Sequence, residues 1–137
     1  MKRVFLDTNI LMDAVEFRLH GAEANALLDL SRMGIVEACA ATMSFATMSY
    51  LLRRQGKEIV HHIFESLIQA VNVQSVTVEQ LNAAMAFGPV CDFEDMLQYQ
   101  CAKAARCDVI VTNNGRDFAE FCDLPLMTAE EFLCSLE

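Results

Sequence analysis

Four short apolar runs recur along the chain, RVFL at 3–6, IVEACAA at 35–41, VNVQSV at 71–76 and DVIVT at 108–112, and longer stretches with helical spacing separate them. Runs this short read as strands rather than helices. Strands that alternate with helices favour a parallel sheet, because parallel neighbours need a long crossover and the crossover helices then cover both faces.

The intervening stretches supply the helices. Residues 8–17 follow the first strand, and 21–33 carry apolar positions at helical spacing and stop at Gly34, a good residue just past a helix end. Ser44 is expected to cap a helix running through SFATMSYLLRRQG, with Gly56 as its terminator. Further helices are predicted over 57–70, over 78–87 and after Asp92, which stands at an N-cap position. A short strand in LPLM and a helix opened by the capping-box pair Thr128 and Glu131 close the chain. With 137 residues, no repeat and no linker, residues 1–137 are expected to form one domain.

Composition narrows the function classes. The hydrophobic fraction is 54% with only two prolines, which excludes a disordered chain. Six cysteines include no C-x-x-C pair, so reduced, buried thiols are expected rather than a zinc site or a disulfide framework, as suits a cytoplasmic protein. No secretory signal or membrane-spanning run is recognisable, so a soluble protein with no membrane partner is expected. The net charge of −9 argues against generic nucleic-acid binding, unless some of the acids hold a cation.

The acids sit where a cation would be useful. In open parallel sheets the binding crevice lies outside the carboxyl ends of the strands. Asp7 ends the first strand, Asn113, Asn114 and Asp117 follow the DVIVT strand, and Asp92 and Asp95 begin the helix that leads into it. Two carboxylates 5 Å apart repel by roughly 3 kcal/mol at an effective dielectric near 20. Three mutual pairs would approach 10 kcal/mol, comparable with a domain's net stability of about 5–15 kcal/mol. Such a cluster must protonate, spread or bind a cation. Oxygen ligands without His or Cys suit Mg²⁺ or Mn²⁺, which can activate water and polarise a phosphoryl oxygen.

Bland readings compete at each position. Asp7 and Asp92 could be helix caps, and Asp95 an ordinary first-turn acid. His61 and His62 are adjacent on a helix and point about 100° apart, so they are read as structural. Arg53, Arg54 and Lys57 could contact phosphates, although a solvated helix face is the simpler reading. Met43 and Met48 are read as core. No G-x-G-x-x-G follows the first strand, and Asp7 lacks a second Asp two residues on, so dinucleotide-binding and haloacid-dehalogenase-type readings drop.

Taken together, FLDTNILMD, DFEDMLQYQCAKAARCDVIVTNNGRDF and the closing LPLMTAEEFL resemble a PIN domain over nearly the whole chain, and most of all the bacterial branch that includes the VapC-type toxins. The resemblance implies a three-layer α/β/α sandwich with a short parallel sheet. It implies an Mg²⁺- or Mn²⁺-dependent ribonuclease site with RNA as substrate, an antitoxin partner and a homodimer. Asp7 and Asp95 match the family's metal acids, Asn114 stands where many active members carry Asp, and Asp117 lies close by. Thr47 falls about where the family supplies a Glu. Asp92, Thr112 and Asn9 are further candidates for the shell. Because two of four expected acids are neutral, the alternative is a catalytically weakened PIN-like module that binds a protein or RNA partner.

Overall fold

The computed structural model describes residues 1–89 and 91–137. Five parallel strands, β1 (Lys2–Leu6), β2 (Val36–Ala41), β3 (Val71–Gln74), β4 (Val109–Val111) and β5 (Leu126–Met127), form one sheet in the order β3-β2-β1-β4-β5. Helices α1 (Thr8–Glu16), α2 (Gly21–Arg32), α3 (Thr42–Leu51), α4 (Lys57–Ala70), α5 (Val78–Ala86), α6 (Phe93–Ala104), α7 (Gly115–Ala119) and α8 (Ala129–Ser135) cover it. This is the predicted three-layer α/β/α sandwich.

Strand alternation divides the core in two. Val4 and Leu6 of β1, Ala38 and Ala40 of β2 and Val109 and Val111 of β4 pack under Leu11, Leu27, Leu28, Met48, Leu67 and Phe132. Phe5, Cys39, Ala41 and Ile110 point the other way, against Ala84, Met96, Tyr99, Ala102 and Phe118. Phe5, Phe118 and Phe132 are fully buried, and truncating any one to Ala would cost about 3–5 kcal/mol. Gly21 is required by contact: a Cβ there would lie 2.7 Å from the Asp13 carbonyl oxygen.

The strand order also fixes where a ligand can enter. From β1 the chain proceeds outward to β2 and β3, then returns to place β4 on the other side of β1. The connections on either side of the β1/β4 boundary therefore leave in opposite directions, and a crevice opens at their carboxyl ends.

Three local expectations are corrected. α3 begins at Thr42 rather than after Ser44, because β2 runs straight into it, and its N-cap position is Ala41 with no side-chain cap. Ser44 is instead buried within the helix, where its hydroxyl lies 2.7 Å from that of Thr8 on α1. The RRQ stretch at 53–55 leaves the α-helix for a 3₁₀ turn. α7 was not expected, since five residues are too few to show a period. Gly34 and Gly56 do follow helical segments with φ of +75° and +95°.

Among the described residues all six cysteines are free thiols; Cys39, Cys101 and Cys107 are buried and Cys134 is exposed. No helix of the described residues is long and apolar enough to cross a membrane.

Candidate functional site

Asp7 immediately follows β1 and occupies the N-cap position of α1, yet its carboxylate does not cap the helix. It turns instead toward β4 and α6. Its Oδ2 accepts from the Thr112 hydroxyl at 2.8 Å and its Oδ1 from the Gln98 amide at 3.0 Å. The side chain is buried, and both contacts are buried too. A cap would have been satisfied by its own helix; this carboxylate is held by the two elements that border the crevice.

The crevice is a cleft of about 300 Å³. Asp7, Thr8 and Asn9 line it from the end of β1, Thr47 and Leu51 from α3, Asp92, Glu94 and Asp95 from the start of α6, and Asn114 and Asp117 from the segment after β4. Asp7, Asn9, Thr47, Asp92, Asp95, Asn114 and Asp117 therefore reach the cleft wall, and Thr112 lies directly behind Asp7. Thr112 also accepts a 3.0 Å bond from the Asn114 backbone, which ties the loop after β4 to the same hydroxyl. Asn113 is the exception among its neighbours. It turns away and donates to Asp13 at 2.7 Å.

Asp92 does two things at once. Its Oδ1 accepts from the Asp95 backbone N–H at 3.0 Å, the N-cap bond that starts α6, and its side chain still lines the cleft. The cap fixes the first turn of α6 and so aims Asp95 inward.

Five carboxylates face this cleft, and no Lys, Arg or His lines it among the described residues. The electrostatic consequence falls on Asp95. Partial burial first, then the negative charges of Asp7, Asp92, Asp117 and Glu94, push its carboxyl up to about 7. Glu94 is raised by partial burial and by Asp7 and Asp92. Burial first, and then the neighbouring acids, thus favour the protonated form of Asp95.

Among the described residues no three acid, histidine or cysteine side chains converge tightly enough to form a ready cage for an ion. The acids share a wall rather than a point. That arrangement suits Mg²⁺ or Mn²⁺, since Mg²⁺ keeps several waters and needs only one or two direct carboxylates. The donor set is all oxygen, which fits the same ions.

Two residues of this site escaped sequence reasoning. Gln98 sits three residues after Asp95 on α6 and is fully buried, with Oε1 unpartnered among the described residues. A buried amide on the same helix face as a functional acid was the available signal. Glu94 lies in the first turn of α6. It supplies a carboxylate to a cleft where Thr47 does not.

An acid-lined crevice at the switch point of a short parallel sheet defines an α/β protein with an all-oxygen candidate site. Sequence comparison names the class: the PIN domain model matches residues 3–116, and the chain belongs to that family. No curated protein is close enough in sequence to match. Among solved structures, the chain is similar to VapBC2 from Rickettsia felis bound to a DNA fragment from its promoter, at 19% identity and TM-score 0.70, covering 92% of this chain and 98% of that one. It is also similar to Mycobacterium tuberculosis VapC20, a sarcin-ricin loop cleaving toxin, at 15% identity and TM-score 0.66, covering 87% and 95%. VapBC-1 from nontypeable Haemophilus influenzae shares 18% identity and TM-score 0.66, covering 93% and 98%. At these identities the likeness is one of fold.

Proposed function

We propose that this protein is an Mg²⁺- or Mn²⁺-dependent endoribonuclease, the toxin of a toxin–antitoxin pair acting in the cytoplasm. The observation that carries the reading is the cleft with five carboxylates and no cation, organised around a buried Asp7 that its own helix does not use. Membership of the PIN family and the likeness to toxin–antitoxin structures support it.

In this reading Asp7 and Asp95 hold the cation, with Asn114 and Asp117 completing the shell and Glu94 at its margin. When bound, Mg²⁺ or Mn²⁺ supplies Lewis acidity, which lowers the pKa of a water and draws charge from a phosphoryl oxygen. Thr112 and Gln98 fix the Asp7 carboxylate, leaving each of its oxygens a further lone pair toward the cleft. A cation held there would favour the ionised form of Asp95, whose carboxyl is pushed up to about 7 by burial and neighbouring acids. Asp92 holds the first turn of α6 in place, and Thr47 and Asn9 offer neutral oxygens that orient water. An antitoxin would block the cleft, and a homodimer is the expected assembly.

The test is cleavage of a purified RNA with and without Mn²⁺. Metal-dependent cleavage that Asp7→Asn removes, with the variant still folded, supports the reading; undiminished activity in Asp7→Asn overturns it. Thr47 and Asn114 in the cleft wall favour one second reading, a PIN-like module without catalysis that binds a protein or RNA partner. It predicts that Thr47→Glu with Asn114→Asp raises Mn²⁺ affinity from almost nothing.

A further inference from the structure

Beside the acid cleft, across helix α3, lies a second cavity of about 400 Å³ with the opposite character. Ser49 of α3, Arg53 of the 3₁₀ turn, Gly56, and Lys57, Val60, His61 and Phe64 of α4 line it, so two cationic side chains stand beside two apolar ones. It holds two of the chain's ten Lys and Arg residues and no carboxylate. Of the other arginines, Arg3 pairs with Glu37, Arg18 with Glu16 and Arg32 with Asp29, while Arg54, Arg106 and Arg116 form no ion pair among the described residues. Among the described residues Arg53 and Lys57 form no ion pair. The N-terminus of α4 opens at Gly56 without a side-chain cap, which adds backbone N–H donors to the same cavity.

The helix between the two cavities is built as a ridge. Thr47 and Leu51 face the acid cleft, whereas Ser49 and Arg53 face the basic cavity. Met48 is fully buried, and Tyr50, about 200° further round the helix, lies on the outer crest with 63% of its surface exposed. The Arg53 guanidinium stacks on the Tyr50 ring at 4.0 Å from the centroid, and its Nη1 donates to the Tyr50 carbonyl at 2.8 Å. An exposed aromatic beside an unpaired guanidinium is the pairing that stacks an unpaired base and holds its phosphate.

We propose that the Arg53–Lys57 cavity and the Tyr50 crest form a single-stranded RNA subsite, which holds a phosphate and stacks a base of the strand whose scissile bond lies in the acid cleft. The proposal rests on the ribonuclease reading of that cleft and deepens it. A strand crossing α3 passes from carboxylates that require a cation to side chains that are themselves cationic. This reconciles a net charge of −9 with a polyanionic substrate. A duplex cannot offer an unstacked base to Tyr50, so the subsite selects unpaired RNA.

The test measures binding apart from cleavage. A 5′-fluorescein single-stranded RNA 12-mer is titrated with the full chain in EDTA, and anisotropy is followed at several salt concentrations. Arg53→Ala with Lys57→Ala is expected to weaken binding at least about tenfold and to flatten the log–log salt dependence by about 1.4, two phosphate contacts at roughly 0.7 each. Tyr50→Ala is expected to weaken binding about tenfold while leaving the salt slope unchanged, because stacking releases no counterions. Arg54→Ala, outside the cavity, serves as the control with little effect. All these side chains are exposed, and unchanged circular dichroism establishes that the variants fold.

Unchanged affinity and slope in the double variant would overturn the proposal, as would wild-type protein that fails to bind the probe. Displacement of the RNA by a glutamate dodecapeptide at equal concentration would also overturn it, assigning the cavity to an acidic protein segment. The ribonuclease reading fails separately, if RNA bound in this way is not cut when Mn²⁺ is restored.

Discussion

The two ends of one sheet treat acidic residues in opposite ways. At the amino end, Glu37 of β2 forms an ion pair with Arg3 of β1 and accepts from the Asn72 amide at 3.0 Å, while Asp108 accepts from the Arg3 backbone at 2.8 Å. Each acid there has a donor or a cation of its own. At the carboxyl end, Asp7 has neutral donors only, and Asp92, Glu94, Asp95 and Asp117 share its cleft with no cation from the chain among the described residues. The first arrangement is complete as folded. The second leaves its acids without a countercharge, and burial together with those neighbours pushes Asp95 up to about 7.

The difference is broken most severely at Asp7. Asp7→Asn keeps the shape but removes the central charge; since substitutions behind a metal ligand already cost about 10- to 100-fold, losing the ligand itself should lower Mn²⁺-dependent cleavage by more than about 100-fold. Single-turnover cleavage of a labelled RNA reads this out. Gln98→Leu and Thr112→Val leave the charge and remove its supports. Each should cost about 10- to 100-fold in Mn²⁺ affinity or cleavage, measured on the same assay.

At the amino end the prediction is reversed. Glu37→Ala should destabilise the fold by about 1 kcal/mol in urea unfolding, because its ion pair with Arg3 is only partly buried, while Mn²⁺ affinity stays at the wild-type value.

A further effect concerns pH. Asp95 has its folded pKa raised to about 7 from an ordinary value of 3.8. Between those values the folded state holds a proton that the unfolded state has lost, so this group's contribution to stability falls as pH rises from about 4 through 7. Without metal, Asp95→Asn should flatten that fall in a series of urea unfolding curves, and saturating Mn²⁺ should stabilise the wild type more at pH 8 than at pH 5.

Most of the fold was legible because short apolar runs in alternation with helices leave few alternatives to a parallel sheet. The site was legible for a related reason: strand ends of a parallel sheet converge, so Asp7, Asp95, Asn114 and Asp117 could be placed together without coordinates. What stayed hidden depended on helix phase and packing. Ser44 has the chemistry of a cap, but the direct passage from β2 into α3 drew it into the helix beside Thr8. Asp7 occupies a cap position and only its rotation toward Gln98 and Thr112 separates the two readings. Sequence alone does not fix a rotamer. Glu94 and the basic cavity behind α3 were equally out of reach, since both depend on which side of a helix meets its neighbours.

The most direct test is a calorimetric titration of the metal-free protein with Mn²⁺, beside Asp7→Asn and Asp95→Asn. The account predicts one saturable site in the wild type that both substitutions remove while both variants remain folded. Wild-type protein that takes up no Mn²⁺ at millimolar concentration, or variants that bind as tightly as the wild type, would contradict it.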